Sequence, residues 1–361
     1  MKKNLRLGTA LMLVVSMFAL SACGGKPTTT ETPAQAPAEA PAETPKAEEE
    51  EAPAPAQEGA TLSLNLSSPV GDTHPAIVAF NQFADEVSSG TNGGITVTVY
   101  PNGALGDQAD GISGLKLGTM DIQHCNSGPA AQVIPELDVF NLPYIFDSGD
   151  HLIAAMNGEI GDWVAEKFEE NGFHYLGWIY GGSRSIITDV GPITNPSELK
   201  GLLIRVQSSD TMVAMINAMG GIGTPMAQSE VYSALQQDVI DGWENSVITL
   251  QSLSLYEVSQ YFSRTEHLIN PDFLLMSMDD WNAMSPEQQQ TFTDAVDKAL
   301  EYEIELWLSE ESKTEELLLE EGVEFNDVDK EAFRQACQPL WETYQEQYGD
   351  EVIKMIQDVT Y

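Results

Sequence analysis

The apolar positions of this chain change rhythm several times. Leu62, Leu64 and Leu66 alternate with Ser63 and Asn65, the period of two that marks a half-buried strand. Residues 73–87 switch to helical spacing. Ile77, Phe80, Ala84 and Val87 share one face, and Pro75 falls in the first turn, where its missing N–H is harmless. Gly93-Gly94 then turn the chain into a second alternating run, Ile95, Val97 and Val99. The same reading predicts a helix over about 107–117, a strand over 121–125, a helix over 150–170 and a strand over 173–180. Strands alternating with helices predict a parallel or mixed α/β sheet, with ligands at the carboxyl ends of its strands. Those ends carry Ser67-Ser68, Asn126-Ser127 and Gly181-Gly182-Ser183-Arg184.

The stretch 199–245 organises the rest. It opens L-K-G-L-L-I-R-V-Q, an apolar run with Arg205 near its far end, and a helix over 210–219 follows. A guanidinium inside such a strand needs an anionic partner. No carboxylate lies beside it in sequence, which leaves two readings: an internal ion pair with a distant acid, or a ligand anion. The C-terminal third is mostly helical. Ser285-Pro286-Glu287-Gln288 is a capping box with proline at the first helical position, and the apolar period continues to Glu321, where Gly322 stops it. A helix of that extent reaches roughly 50 Å, enough to cross two lobes. Pro339 is expected to break or kink the helix after it.

The N-terminus has a different pattern. Lys2, Lys3 and Arg6 precede an apolar run over 11–20, and L-S-A-C-G follows. That is a secretory signal over residues 1–22, and Cys23 sits where the lipobox of bacterial lipoproteins places its acylated cysteine. The apolar run is short of the ~20 residues that a membrane span needs. Residues 24–60 are Pro, Ala, Thr and Glu, with an acidic run over 48–51. Such a segment buries too little to offset its chain entropy, so residues 23–60 read as a disordered tether. The remaining stretch, 61–361, is long enough for two lobes with real cores.

Charge narrows the partners. The chain carries 16 basic and 56 acidic residues, a net charge of −40 at pH 7, which excludes routine nucleic-acid binding and disfavours anionic membrane surfaces. Beyond residue 60 only four arginines occur: Arg184, Arg205, Arg264 and Arg334. The five histidines (74, 124, 151, 174 and 267) show no metal-ligand spacing, and no acidic loop is spaced like an EF-hand. Gly220-Gly221-Ile222-Gly223 does not open a helix, and no G-x-S-x-G elbow appears. Neither a metal nor a cofactor is expected. Cys125 and Cys337 read as separate buried thiols, although the compartment permits a bridge.

Eight strings appear in a shared order: H-P at 74, V-Y-P-N-G-A-L-G at 99, L-P-Y-I-F at 142, L-K-G-L-L-I-R-V at 199, then T-P-M, E-V-Y-S-A-L-Q-Q, D-G-W-E-N and T-E-H-L at 265. On these strings residues 61–361 resemble the substrate-binding proteins of tripartite ATP-independent periplasmic (TRAP) transporters, of the dicarboxylate-binding type. The resemblance implies an α/β, two-lobed, periplasmic-binding-protein-like clamp with a long helix crossing both lobes. Lobe I is expected at about 61–185 and 272–310, lobe II at about 186–271 and 311–361. It implies that Arg205 grips a substrate carboxylate in bidentate fashion, assisted by Asn245, with Arg184 near the cleft. His74, Asn126 and Ser127 are the contributions expected from the first lobe.

Two departures bear on the ligand. Trp243 stands where the family usually has glutamine, and its indole suits either stacking on a sugar face or core packing. Gly191 stands where many members carry a basic residue, so a second ligand carboxylate lacks its partner, which favours a monocarboxylate or sugar acid. Asp238 replaces a usual glycine and is expected in a left-handed conformation. The leading functional reading is a lipid-anchored extracytoplasmic receptor delivering an organic acid to a TRAP membrane permease. A ligand-binding module of a sensory system and a surface hydrolase are the alternatives.

Overall fold

The computed structural model describes residues 61–361; the signal, Cys23 and the tether lie outside the described residues. Nine strands form one mixed sheet among those residues. They are β1 (Leu62–Ser67), β2 (Ile95–Tyr100), β3 (Ile122–Asn126), β4 (Phe173–Thr188), β5 (Leu203–Val206), β6 (Ile222–Pro225), β7 (Gly242–Asn245), β8 (Tyr261–Ser277) and β9 (Glu324–Asn326). The spatial order is β2-β1-β3-β8-β4-β7-β5-β6, with β9 also on β8.

The sheet has two halves. In one, β1 pairs in parallel with β2 and β3. In the other, β5 pairs in parallel with β6 and β7. The long antiparallel strands β4 and β8 belong to both. The end of β8 (272–276) pairs with β3, whereas the end of β4 (185–188) pairs with β7. This is the two-lobed architecture with crossing strands that the resemblance implied.

Hydrophobic packing follows the same division. Leu64, Leu66, Phe80 and Phe83 form a core under the first half with Phe292 and Val296. Ile204, Val206, Met212, Met215 and Phe333 form another under the second. The largest cluster draws on both halves and includes Phe140, Phe273, Trp243 and Trp307.

The helix Pro286–Glu320 runs unbroken for 35 residues, started by the capping box of Ser285 and Gln288. Phe292 near its start meets Phe83 edge-to-face at 4.9 Å. Its middle lies on β4. There Glu303, fully buried, accepts the Tyr180 N–H at 3.1 Å. Burial pushes its carboxyl well above the usual carboxylate range, and its hydrogen bond joins helix to strand.

Three expectations need correction. The helix predicted over 150–170 is two helices, Gly149–Met156 and Glu159–Glu170, separated at Asn157-Gly158. The strand predicted over 173–180 does not stop at Gly181-Gly182; it bulges there and continues to Thr188. Gly182 has φ +67°, and a Cβ on it would lie 2.3 Å from the Trp307 ring, so glycine here serves close packing and not a chain reversal. The helix Lys330–Tyr348 runs through Pro339 unbroken, forgoing one backbone hydrogen bond. Other details match. Cys125 and Cys337 are free, buried thiols, and Asp238 has φ +53°.

Candidate ligand-binding site

Two adjoining narrow clefts share Pro69 and Gln228. Their walls come from the carboxyl ends of β1, β3, β5 and β7 and from the middle of β4 and β8. That is where an open α/β sheet leaves backbone and side chains free to meet a ligand.

Arg205 forms the wall of the first cleft and is 1 % exposed. Ile204 and Val206 on either side are fully buried in the second core, so the strand's apolar pattern holds Arg205 in place. Its Nε and Nη2 donate to the Met226 carbonyl at 2.9 and 2.7 Å, and Nη1 donates to Gln228 Oε1 at 2.9 Å. None of these partners is charged. Among the described residues no carboxylate lies within salt-bridge distance of it. Burial lowers its pKa to about 10, Glu244 opposes that, and Arg184 adds to it. A desolvated cation with only neutral partners is costly until an anion joins it.

The surroundings point the same way. Gln207 lines the same cleft, and neither its Oε1 nor its Nε2 has a hydrogen-bond partner; nor does Nε2 of Gln228. Buried amides without partners are costly. Placed beside Arg205, they suit a ligand rich in polar groups.

Arg184 lies in the second cleft but is differently committed. It makes a two-pronged pair with Glu244, Nε to Oε2 and Nη2 to Oε1 both at 2.7 Å. Burial pushes the Glu244 carboxyl up, but the guanidinium and His267, 3.5 Å away, outweigh it and bring its pKa to about 2. The internal ion pair considered for Arg205 is therefore what Arg184 has. Its Nη1 also donates to Asn245 Oδ1 at 3.2 Å, and the Ser246 N–H donates to the same oxygen at 2.8 Å. Both bonds hold the Asn245 amide by its oxygen, and the residue lines the second cleft.

The first half of the sheet supplies His74 and Asn126 to the same wall. His74 caps the helix Pro75–Gly90, its Nδ1 accepting the Ala76 N–H at 3.2 Å. Burial, reinforced by His124, lowers its pKa to about 3, so the ring is neutral and Nε2–H is the free donor. Asn126 is clamped by Gln108, which donates to its Oδ1 at 2.8 Å and accepts its backbone N–H at 2.7 Å.

The structure does not bring two expected residues to the clefts. Ser127 is fully buried, donates to Asn141 Oδ1 at 2.9 Å and accepts from Asn270 Nδ2, tying the short helix after β3 to β8. Trp243 has no exposure and packs in the central core with Ile187 opposite it on β4, which is the core-packing use of its indole. The sequence reading missed Gln207, Gln228 and Asp272, all on the walls. Gln207 directly follows L-L-I-R-V, and its place after Arg205 at the strand's end was the available signal.

Comparison with known proteins gives a consistent picture. Residues 66–347 match the bacterial extracellular solute-binding proteins of family 7, DctP. A solute-binding protein of Chromohalobacter salexigens is 35% identical over 296 residues, 82% of this chain and 87% of the relative. A TRAP periplasmic solute binding protein from Sulfitobacter sp. NAS-14.1, solved with bound β-D-galacturonate, is 34% identical with a TM-score of 0.79, over 82% of this chain and 99% of that one. Another, from Chromohalobacter salexigens with bound D-glucuronate, has the same identity and TM-score, over 82% of this chain and 100% of that one.

Proposed function

The chain belongs to family 7 of the bacterial extracellular solute-binding proteins, the TRAP receptors, and from that footing we propose that it captures a sugar acid with a single carboxylate and passes it to a TRAP membrane permease. Members of this family are receptors and not enzymes. The observation that carries the proposal is Arg205, desolvated and bonded only to neutral groups, beside the unpartnered amides of Gln207 and Gln228. In this reading Arg205 takes the ligand carboxylate in its fork, and Asn245 donates from Nδ2. Arg184, already paired with Glu244, holds Asn245 and adds positive potential. His74 and Asn126 donate to hydroxyls, while Ser127 and Trp243 support the wall from behind. D-Galacturonate and D-glucuronate, bound by two neighbours, have this chemistry: one carboxylate and a hydroxyl-bearing ring.

The moving bodies in this proposal are lobe I, about 61–185 and 272–310, and lobe II, about 186–271 and 311–361, hinged at β4 and β8. The partner switch along those two strands supports that division. A thermal-shift screen tests the ligand class. Sugar monocarboxylates should raise the melting temperature, because a ligand at about 100 times its dissociation constant adds about 2.7 kcal/mol; neutral sugars and C4 dicarboxylates should not.

The proposal also places the protein on the outer face of a cell membrane, held through a lipid on Cys23. Cys23→Ser should abolish incorporation of labelled fatty acid and release or misprocess the protein, with ligand affinity of the purified protein unchanged. Label on the serine variant would rule out this anchor.

A further inference from the structure

The second cleft has a feature that a receptor for organic acids in general does not need. Asp272, on β8, lies in its wall together with His74, Asn126, Arg184, Gln228, Asn245 and Thr249. Its side chain is 9 % exposed. Oδ2 meets His124 Nε2 at 3.3 Å, and His124 Nδ1 meets Ser68 Oγ at 2.8 Å. That chain of contacts, together with its register opposite Asn126 on β3, fixes the carboxylate in one orientation. Oδ1 has no hydrogen-bond partner among the described residues, and no lysine or arginine lies within salt-bridge distance. Arg184, the nearest candidate, is bound on two nitrogens by Glu244.

The site therefore has two unlike ends. One is the cation Arg205 with its neutral partners. The other is a fixed carboxylate, which only accepts hydrogen bonds. We propose that Asp272 is the specificity residue of the site, accepting a hydroxyl from the uncharged end of the ligand and excluding a second carboxylate from it. The inference rests on the reading of Arg205 as the carboxylate anchor.

Asp272 would act by both attraction and repulsion. A hydroxyl donating to a carboxylate makes one of the stronger kinds of hydrogen bond. In the desolvated cleft that bond satisfies an acceptor that otherwise has no donor. His74 Nε2–H and Asn126 line the same wall as donors, so adjacent hydroxyls of a sugar find both an acceptor and a donor there. A ligand bringing a second carboxylate would set two anions side by side where water screens them poorly. Discrimination of this kind comes as much from the repulsive element as from the attractive one.

Calorimetric titration of the purified protein and of Asp272→Asn with D-glucuronate, D-gluconate and D-glucarate tests this. Gluconate and glucarate differ only in that one end is a hydroxyl or a carboxylate. The wild-type protein should bind the better monocarboxylate at least about 100-fold more tightly than glucarate, and Asp272→Asn should weaken that ligand roughly tenfold and shrink the ratio to below about tenfold. Asp272→Ser, which is smaller, serves as a second variant if the amide disturbs folding, and the wild-type ratio stands by itself if neither variant folds. Glucarate bound as tightly as the monocarboxylates by the wild-type protein would overturn the proposal. So would an unchanged ratio in a folded variant. If the wild-type protein binds none of the three and no other sugar acid, the reading of Arg205 fails first, and the role of Asp272 falls with it.

Discussion

Arg205→Ala is expected to bind its sugar acid at least roughly 30-fold more weakly while remaining folded. Removing one partner of a desolvated charge pair costs about 2–5 kcal/mol, and each 1.4 kcal/mol is about tenfold in affinity. The fold should tolerate the change because Arg205 holds no internal ion pair; it donates only to Met226 and Gln228. Arg205→Lys should also bind weakly, since an ammonium retains the charge without the fork. Melting temperature and calorimetric affinity measured on both variants separate binding from stability. A folded Arg205→Ala protein with wild-type affinity would remove Arg205 from the site.

Glu244→Ala is expected to have the opposite character, a loss of stability first and of binding second. The variant leaves Arg184 buried with its charge unmatched, and breaking such a pair typically costs about 3–5 kcal/mol. Arg184 is 4 % exposed and Glu244 fully buried, so solvent can do little to compensate. The pair also sets a pH dependence. The folded-state pKa of Glu244 is lowered to about 2 from an ordinary 4.5. Its contribution is therefore fully present above the unfolded value, and is lost as pH falls from about 4.5 through about 2. Chemical denaturation from pH 7 down to pH 3 should show the wild-type protein losing part of its advantage over Glu244→Gln once the pH falls below about 4.5. Parallel pH curves for the two proteins would show that the ion pair contributes nothing to stability.

The two arginines show how far a sequence can be read. Arg205 stood out because its strand is apolar and no acid is near it in sequence. Arg184 was placed near the cleft only by the resemblance; its partner Glu244 lies 60 residues away, and only the antiparallel pairing of β4 with β7 brings them together. The alternating strands and the long helix were legible because each imposes a local period. The break at Asn157-Gly158 and the bulge at Gly181-Gly182 were not, because a glycine in sequence does not say whether it turns the chain or admits a neighbour such as Trp307. Trp243 posed the same difficulty: its side of the strand is decided by β4 and by the core it enters.

Asp272 was concealed in another way. It precedes the apolar run Phe273-Leu274-Leu275-Met276 and belongs to no motif, and its significance comes from His124 and Asn126 on β3. Gln207 and Gln228 carry no charge to attract notice. They matter because folding leaves their amides buried beside Arg205 without partners. Recurring strings located the receptor family and singled out Arg205 as a candidate. The wall that carries Asp272, His74 and Asn126 depends on contacts between distant strands, and local patterns do not encode those.

The central claim is that the cleft binds a sugar through its carboxylate. The most direct test is isothermal titration of the wild-type protein with D-glucuronate and, in parallel, with D-glucose, which differs chiefly in lacking that charge. Saturable binding of a uronate such as D-glucuronate or D-galacturonate, with no detectable binding of the neutral sugar at the same concentrations, is the expected result. Equal affinity for the charged and uncharged sugars would contradict it.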